Sequence, residues 1–193
     1  DEDTSLLIDD LRDRLRSETS SHHQQVDGLF SSLDISAKTG FVTFIQCHSL
    51  CFDTLHRCSA PDQDVGRLRH LRPLLAQDLE TLGARTVHPR IADVKRFHPM
   101  AINYVISGSH LGAGVLRKRW LRATDPMVRR ADAYFSAPSG RDHWNSLCKK
   151  LADTAPVSAD ADDIVDSAQR VFDLFASAFK LISTQNTEGA AHG

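Results

Sequence analysis

Apolar residues recur along this chain at intervals of three and four, with polar residues between them, which is the period of amphipathic helices. Leu7, Leu11 and Leu15, with Ile8 beside them, predict a first helix. The polar run Ser17–Ser21 predicts a break before a second, carried by Val26, Leu29, Phe30 and Leu33 and ending near residues 34–36. Phe41, Phe44, Ile45, His48, Phe52 and Leu55 share one face of a third helix, stopped by SAPDQD. Leu68, Leu71, Leu75, Leu79 and Leu82 predict a fourth, in which Pro73 marks either a kink or the true start and Gly83 the stop.

The loop through Pro89 is expected to carry a short helical turn, and Pro99 suits the first turn of a long helix through Trp120. Asp125-Pro126 opens a helix from Met127 to Phe135, SAPSG forms a loop, and Trp144, Leu147, Cys148 and Leu151 form a short amphipathic segment. After the polar DTAPVSADAD, the stripe Ile164, Val165, Ala168, Phe172, Phe175 and Phe179 makes a final helix. Residues 1–183 read as one all-α domain, and the segment from Ser183 to Gly193 as a frayed or flexible tail. No segment alternates in the manner of a strand.

A hydrophobic content of 41% over 193 residues is enough for a core that encloses a ligand. Basic and acidic residues nearly balance, 23 against 25, which points away from nucleic acid. No apolar run reaches membrane-spanning length, and the acidic start DEDTSLLIDDLR does not read as a signal peptide. Cys47, Cys51, Cys58 and Cys148 are too few for a disulfide scaffold, so reduced thiols in a cytoplasmic protein are expected. Their scatter around a continuous helix also argues against zinc at Cys47, His48, Cys51, His56 and Cys58, and buried thiols are expected. The absence of an ExxH pair argues against a di-iron bundle, Glu18 and His22 being four apart.

One stretch resists the helical pattern. YVISGSHLGAGVLRKRW (Tyr104–Trp120) carries Gly108, Gly112 and Gly114 inside an apolar stripe, at a cost of about 1 kcal/mol each relative to alanine. At about 100° per residue Gly108 and Gly112 share a face with Ser109 beside it, while His110 lies about 200° from Gly108. Such a face admits either the close approach of a flat ligand or tight packing by another helix. Upstream, TSSHHQQVDGLF (Thr19–Phe30) places His23 on one face with Val26, Asp27 and Phe30. An acid one turn after a histidine can hold its Nδ1–H and leave Nε2 for a metal; the bland alternative is a surface pair.

Together these segments resemble the heme oxygenase family. Its members carry a T-x-x-x-H motif followed by an acid four residues on, matched by Thr19, His23 and Asp27, and a glycine-rich distal helix. In the bacterial branch associated with bacteriophytochromes that helix reads much like YVLEGSxLGG. Here Ser107 stands in place of the usual acid and Ala113 in place of a glycine. The resemblance spans Leu11 to about Phe179 and implies a single-domain helical bundle that cleaves heme to biliverdin, releasing iron and carbon monoxide, with molecular oxygen and external electrons.

The resemblance implies a role for each of several residues. His23 becomes the proximal iron ligand with Asp27 orienting it, and Gly108 and Gly112 form the oxygen-side wall. Ser109 takes the place of an aspartate that organises distal water in the mammalian enzymes. Arg16 and Lys149, the latter replaceable by Lys150, contact the propionates, and Phe172 and Phe179 border the porphyrin unless they are plain core. Arg117, Lys118, Arg119, Arg122, Arg129 and Arg130 offer a basic face to an acidic electron donor such as a ferredoxin or a flavoprotein reductase, or form a solvated helix face. A bacteriophytochrome becomes a possible recipient of the biliverdin. The departures at Ser107 and Ser109 leave room for a heme sensor or carrier without turnover. A thiaminase-like activity on the same fold is a further alternative.

Overall fold

The computed structural model describes residues 8–88 and 95–190 and builds them from nine helices, with no strand among those residues. Helix α1 (Leu11–Ser31) starts where the Asp10 carboxylate accepts from the Asp13 amide at 2.9 Å. It runs unbroken through Ser17–Ser21, where the sequence predicts an interruption. The Thr19 hydroxyl donates back to the Leu15 carbonyl at 2.6 Å, so this buried polar group is satisfied within the helix. The buried positions Leu11, Leu15 and Thr19 supply the packing that holds the segment helical.

Helix α2 (Lys38–Arg57) follows its predicted face and is buried along most of its length. Helix α3 (Gly66–Leu82) contains Pro73, so the proline lies within the helix and not at its start. The lost hydrogen bond and ring clash are offset by Leu68, Leu71, Leu75, Leu79 and Leu82, each at most 1% exposed and each worth about 1.5–3 kcal/mol when buried. Gly83 ends α3 in the left-handed region at φ 61°, as a stop signal there requires. The helical turn expected near Pro89 falls largely outside the described residues, as does Leu7.

The long glycine-bearing helix of the sequence reading is two helices, α4 (Pro99–Leu111) and α5 (Gly114–Trp120). Gly112 donates to the Gly108 carbonyl at 2.9 Å, then Ala113 donates to His110 at 3.2 Å, three residues back. This tightened turn interrupts the regular α-helical ladder between α4 and α5. The expected helix from Met127 to Phe135 is likewise split, into α6 (Pro126–Arg130) and α7 (Ala133–Ser136). The division falls where the buried Asp78 carboxylate accepts from the amides of Ala133 and Tyr134, both at 2.9 Å, anchoring the new turn on α3.

Helix α8 (Arg141–Ala152) matches the short amphipathic segment. Helix α9 (Ala159–Ala190) continues over most of the residues read as a tail. There Asn186 donates to Thr43 at 2.9 Å and to the Gln46 side-chain carbonyl at 3.1 Å, and Ile182 is fully buried. The core is one continuous cluster in which α9 packs against α1, α2 and α4. No described helix is long and apolar enough to cross a membrane.

Candidate functional site

His23 projects from α1 and is 57% exposed, on a helix where Val26 and Leu29 are half-buried and Phe30 is buried. Its Nε2 lies 3.2 Å from the Asp27 carboxylate. The pair therefore forms, but through the opposite ring nitrogen from the one expected: Asp27 faces Nε2, not Nδ1. An exposed ion pair of this kind is worth about 0–1 kcal/mol, so turning the ring costs little. The Phe172 ring, itself 7% exposed on α9, lies 5.5 Å from the imidazole and limits where the ring can turn. His22 points differently, toward Asp173, with 3.9 Å between Nε2 and the carboxylate.

Two ties join α1 to the arm formed by α4 and α5. At one end the Tyr104 phenol lies beside the Thr19 side chain, and burial raises its pKa. At the other, Arg119 donates to the carbonyls of Ser31 at 3.3 Å and Leu33 at 2.5 Å. Between the ties α1 runs for about 18 Å, at about 1.5 Å per residue. His23 and Asp27 fall within that interval on α1, and Gly108, Ser109 and Gly112 fall between Tyr104 and Arg119 on the other arm. Ser109 and Gly112 are exposed and Gly108 half-buried.

The three glycines differ in what they do. None has positive φ, so backbone conformation does not require them. Gly112 caps α4 and Gly114 opens α5, leaving Gly108 alone inside a helix. A Cβ on Gly108 would lie 3.3 Å from the end of the Trp144 ring, so at this position the small face is occupied by packing, from an indole of α8. Trp144 also stacks on Tyr104, with centroids 5.6 Å apart. The sequence reading misses Tyr104 and Trp144 as partners of the glycine face. Tyr104 precedes Gly108 by one turn, and that spacing is the signal that could have exposed it.

The remaining candidates are spread around this region. Arg16 is 78% exposed and lies 3.5 Å from Asp13 on its own helix, and Lys149 is exposed on α8. Phe179 is half-buried and meets the Phe30 ring edge-on at 5.4 Å, in a cluster continuous with the core. Among the six basic residues near α5, Arg119 and Arg129 bond main-chain carbonyls, whereas Arg117, Lys118, Arg122 and Arg130 are exposed. His110 points into the core, where Nδ1 accepts from Arg67 at 3.0 Å and Nε2 donates to the Tyr134 carbonyl at 3.1 Å. Burial lowers its pKa.

Cys47 and Cys51 are buried, and burial pushes the Cys47 thiol up to about 12. Among the described residues no three His, Cys, Asp or Glu side chains come together to hold a bare ion. A single exposed histidine such as His23 fits a metal that brings its own in-plane ligands.

No protein-family model matches the chain, and no curated protein does. Among solved structures it is similar to the heme oxygenase from Neisseria meningitidis, described in NO- and CO-bound forms for their implications for oxygen activation. The two agree with a TM-score of 0.68 and 18% identity over 90% of this chain and 92% of the other. The chain has the all-α fold of a heme oxygenase.

Proposed function

We propose that the chain binds heme between α1 and the α4–α5 arm and cleaves it to biliverdin, releasing iron and carbon monoxide. The observation that carries this reading is the exposed His23–Asp27 pair on α1, between the two ties, in a chain with the heme oxygenase fold. His23 is the iron ligand in this proposal, and Asp27 turns with it to hold the second ring nitrogen. The heme would supply the site that activates oxygen; the chain supplies an imidazole ligand and a wall of small residues.

Gly108, Gly112 and the Ser109 hydroxyl form that wall once the Trp144 indole, which packs on Gly108, moves aside, and Ser109 both donates to and accepts from water. Phe172 flanks the ligand histidine, and Phe179 borders the porphyrin farther along α9. Arg16 and Lys149 are free to swing toward the propionates, arginine as a two-pronged partner and lysine as a point charge. Arg117, Lys118, Arg122 and Arg130 steer an acidic ferredoxin or flavoprotein reductase. A cytoplasmic setting and delivery of biliverdin to a bacteriophytochrome complete the reading.

A heme carrier without turnover has one observation in its favour. Neither serine at the departures supplies a carboxylate: Ser107 is 2% exposed with no partner for its hydroxyl, and Ser109 is neutral. Heme titration followed by reductant and oxygen separates the readings. The expected result is a Soret band, then its decay into a bilin identified by chromatography. His23→Ala should lose the native band and bilin formation, and added imidazole should restore the band. A stable ferric or oxy spectrum would support the carrier, and the lack of any saturable Soret change would sink both.

A further inference from the structure

Gly108 and Gly112 lie one turn apart at the end of α4, and what covers them differs. Beyond its chain neighbours and the helix's own main chain, a Cβ on Gly108 would meet only Trp144 within 4 Å among the described residues. The atoms it meets, Cη2 and Cζ3, form the far edge of the indole, both at 3.3 Å. A Cβ on Gly112 would meet the carbonyls of Gly108 and Ser109, both from α4 itself, and one on Gly114 nothing within 4 Å. At these positions no neighbouring main chain closes on the small-residue face; one side chain does.

That side chain is free to turn. Trp120, the other tryptophan, is 4% exposed and donates its Nε1–H to the Val128 carbonyl at 3.0 Å. Trp144 is half-buried and makes no such bond among the described residues; apolar contact holds it, including the edge on Gly108 and the stack on Tyr104. It stands early in α8, which starts at Gly140 in the left-handed region with no side-chain cap. The buried anchors of that helix, Leu147, Cys148 and Leu151, come later. A rotamer change at Trp144 therefore breaks no hydrogen bond of the indole and leaves those anchors in place.

We propose that Trp144 is the gate of the ligand face. In the empty chain its indole occupies the place of a flat ligand over Gly108, and the ligand enters by turning it aside. The inference rests on the heme reading above and adds to it the step that admits the ligand. The closed position competes with heme, so apparent affinity is scaled by the fraction of chains in which the indole is turned away. Such a gate slows entry and leaves departure of the seated ligand untouched.

The test is stopped-flow mixing of the full chain with hemin, read at the Soret band, with dissociation read by transfer to an excess of a tighter-binding acceptor. Trp144→Ala should associate about two- to tenfold faster than wild type, the ratio for losing one aromatic contact, with its dissociation rate unchanged. Trp144→Phe, whose single ring can still meet Tyr104 but lacks the edge that reaches Gly108, should behave alike and serves if the alanine variant is unstable. Association no faster than wild type in the folded variants would overturn the gate while leaving heme binding intact. Faster dissociation would also overturn it, by making the indole a contact of bound heme. No saturable Soret change in wild type or variants would sink the heme reading itself, and the gate with it.

Discussion

His48 sits inside a shell of rings from Phe30, Phe44, Phe52, Tyr134 and Phe175, and its Nδ1–H donates to the Phe44 carbonyl at 2.8 Å. Burial lowers its pKa to about 4, outweighing that hydrogen bond. A histidine held neutral in this way stabilises the fold fully above its unfolded pKa of about 6.5 and loses that contribution as the pH falls toward 4. Between pH 7 and pH 5 the loss is about 2 kcal/mol. Asp78 has the opposite sign: burial raises its pKa to about 6 despite two amide donors, so protonation below pH 6 relieves a cost. The two nearly cancel in the wild type, so variants are needed to see them. His48→Gln should gain about 2 kcal/mol relative to wild type when urea unfolding is repeated at pH 5 instead of pH 7. Parallel pH profiles would show that the imidazole is not held neutral. Periodicity placed His48 on the correct face of α2, but its ionisation depends on rings from α1, α7 and α9, which no local pattern encodes.

Glycine at the helix level shows how the same residue type carries opposite energetics. Gly28 lies inside α1, and a Cβ there would meet nothing within 4 Å. Gly28→Ala should stabilise the protein by about 0.5–1 kcal/mol, through a lower backbone entropy cost. Gly83 caps α3 at φ 61°, and the nearest atom to an added Cβ is a Met127 methyl at 3.9 Å. Gly83→Ala should therefore cost about 1 kcal/mol from backbone strain alone. Thermal melts of the two variants that moved in the same direction would refute this assignment. The helical stripes and the Gly83 stop were readable because they are set by local period and local conformation. The continuity of α1 through Ser17–Ser21 was not, because burial against α9 decides it. Nor was the break at Gly112, where one glycine ends a helix and another two residues later opens the next. His23 and Asp27 were placed together correctly by spacing, yet spacing could not tell which imidazole nitrogen the carboxylate would meet.

At the scale of the whole molecule, α1 rests on α9 and is tied to the α4–α5 arm at separated points. Arg119 makes the tie nearer Asp27, reaching from half-buried surroundings to the carbonyls of Ser31, the last residue of α1, and of Leu33 just beyond it. Those carbonyls otherwise face water at a helix C-terminus, where a cation is favoured. Arg119→Ala should cost about 1–3 kcal/mol in stability, the range for hydrogen bonds to a charged group. If heme occupies the interval between the ties, the same change loosens one end of its enclosure and leaves His23 in place. Transfer of heme to an excess of a tighter-binding acceptor should then quicken several-fold, while the Soret position stays that of the wild type. A shifted Soret band would mean that Arg119 positions the ligand histidine through α1. Unchanged release together with the expected loss of stability would place the heme outside the interval that Arg119 closes.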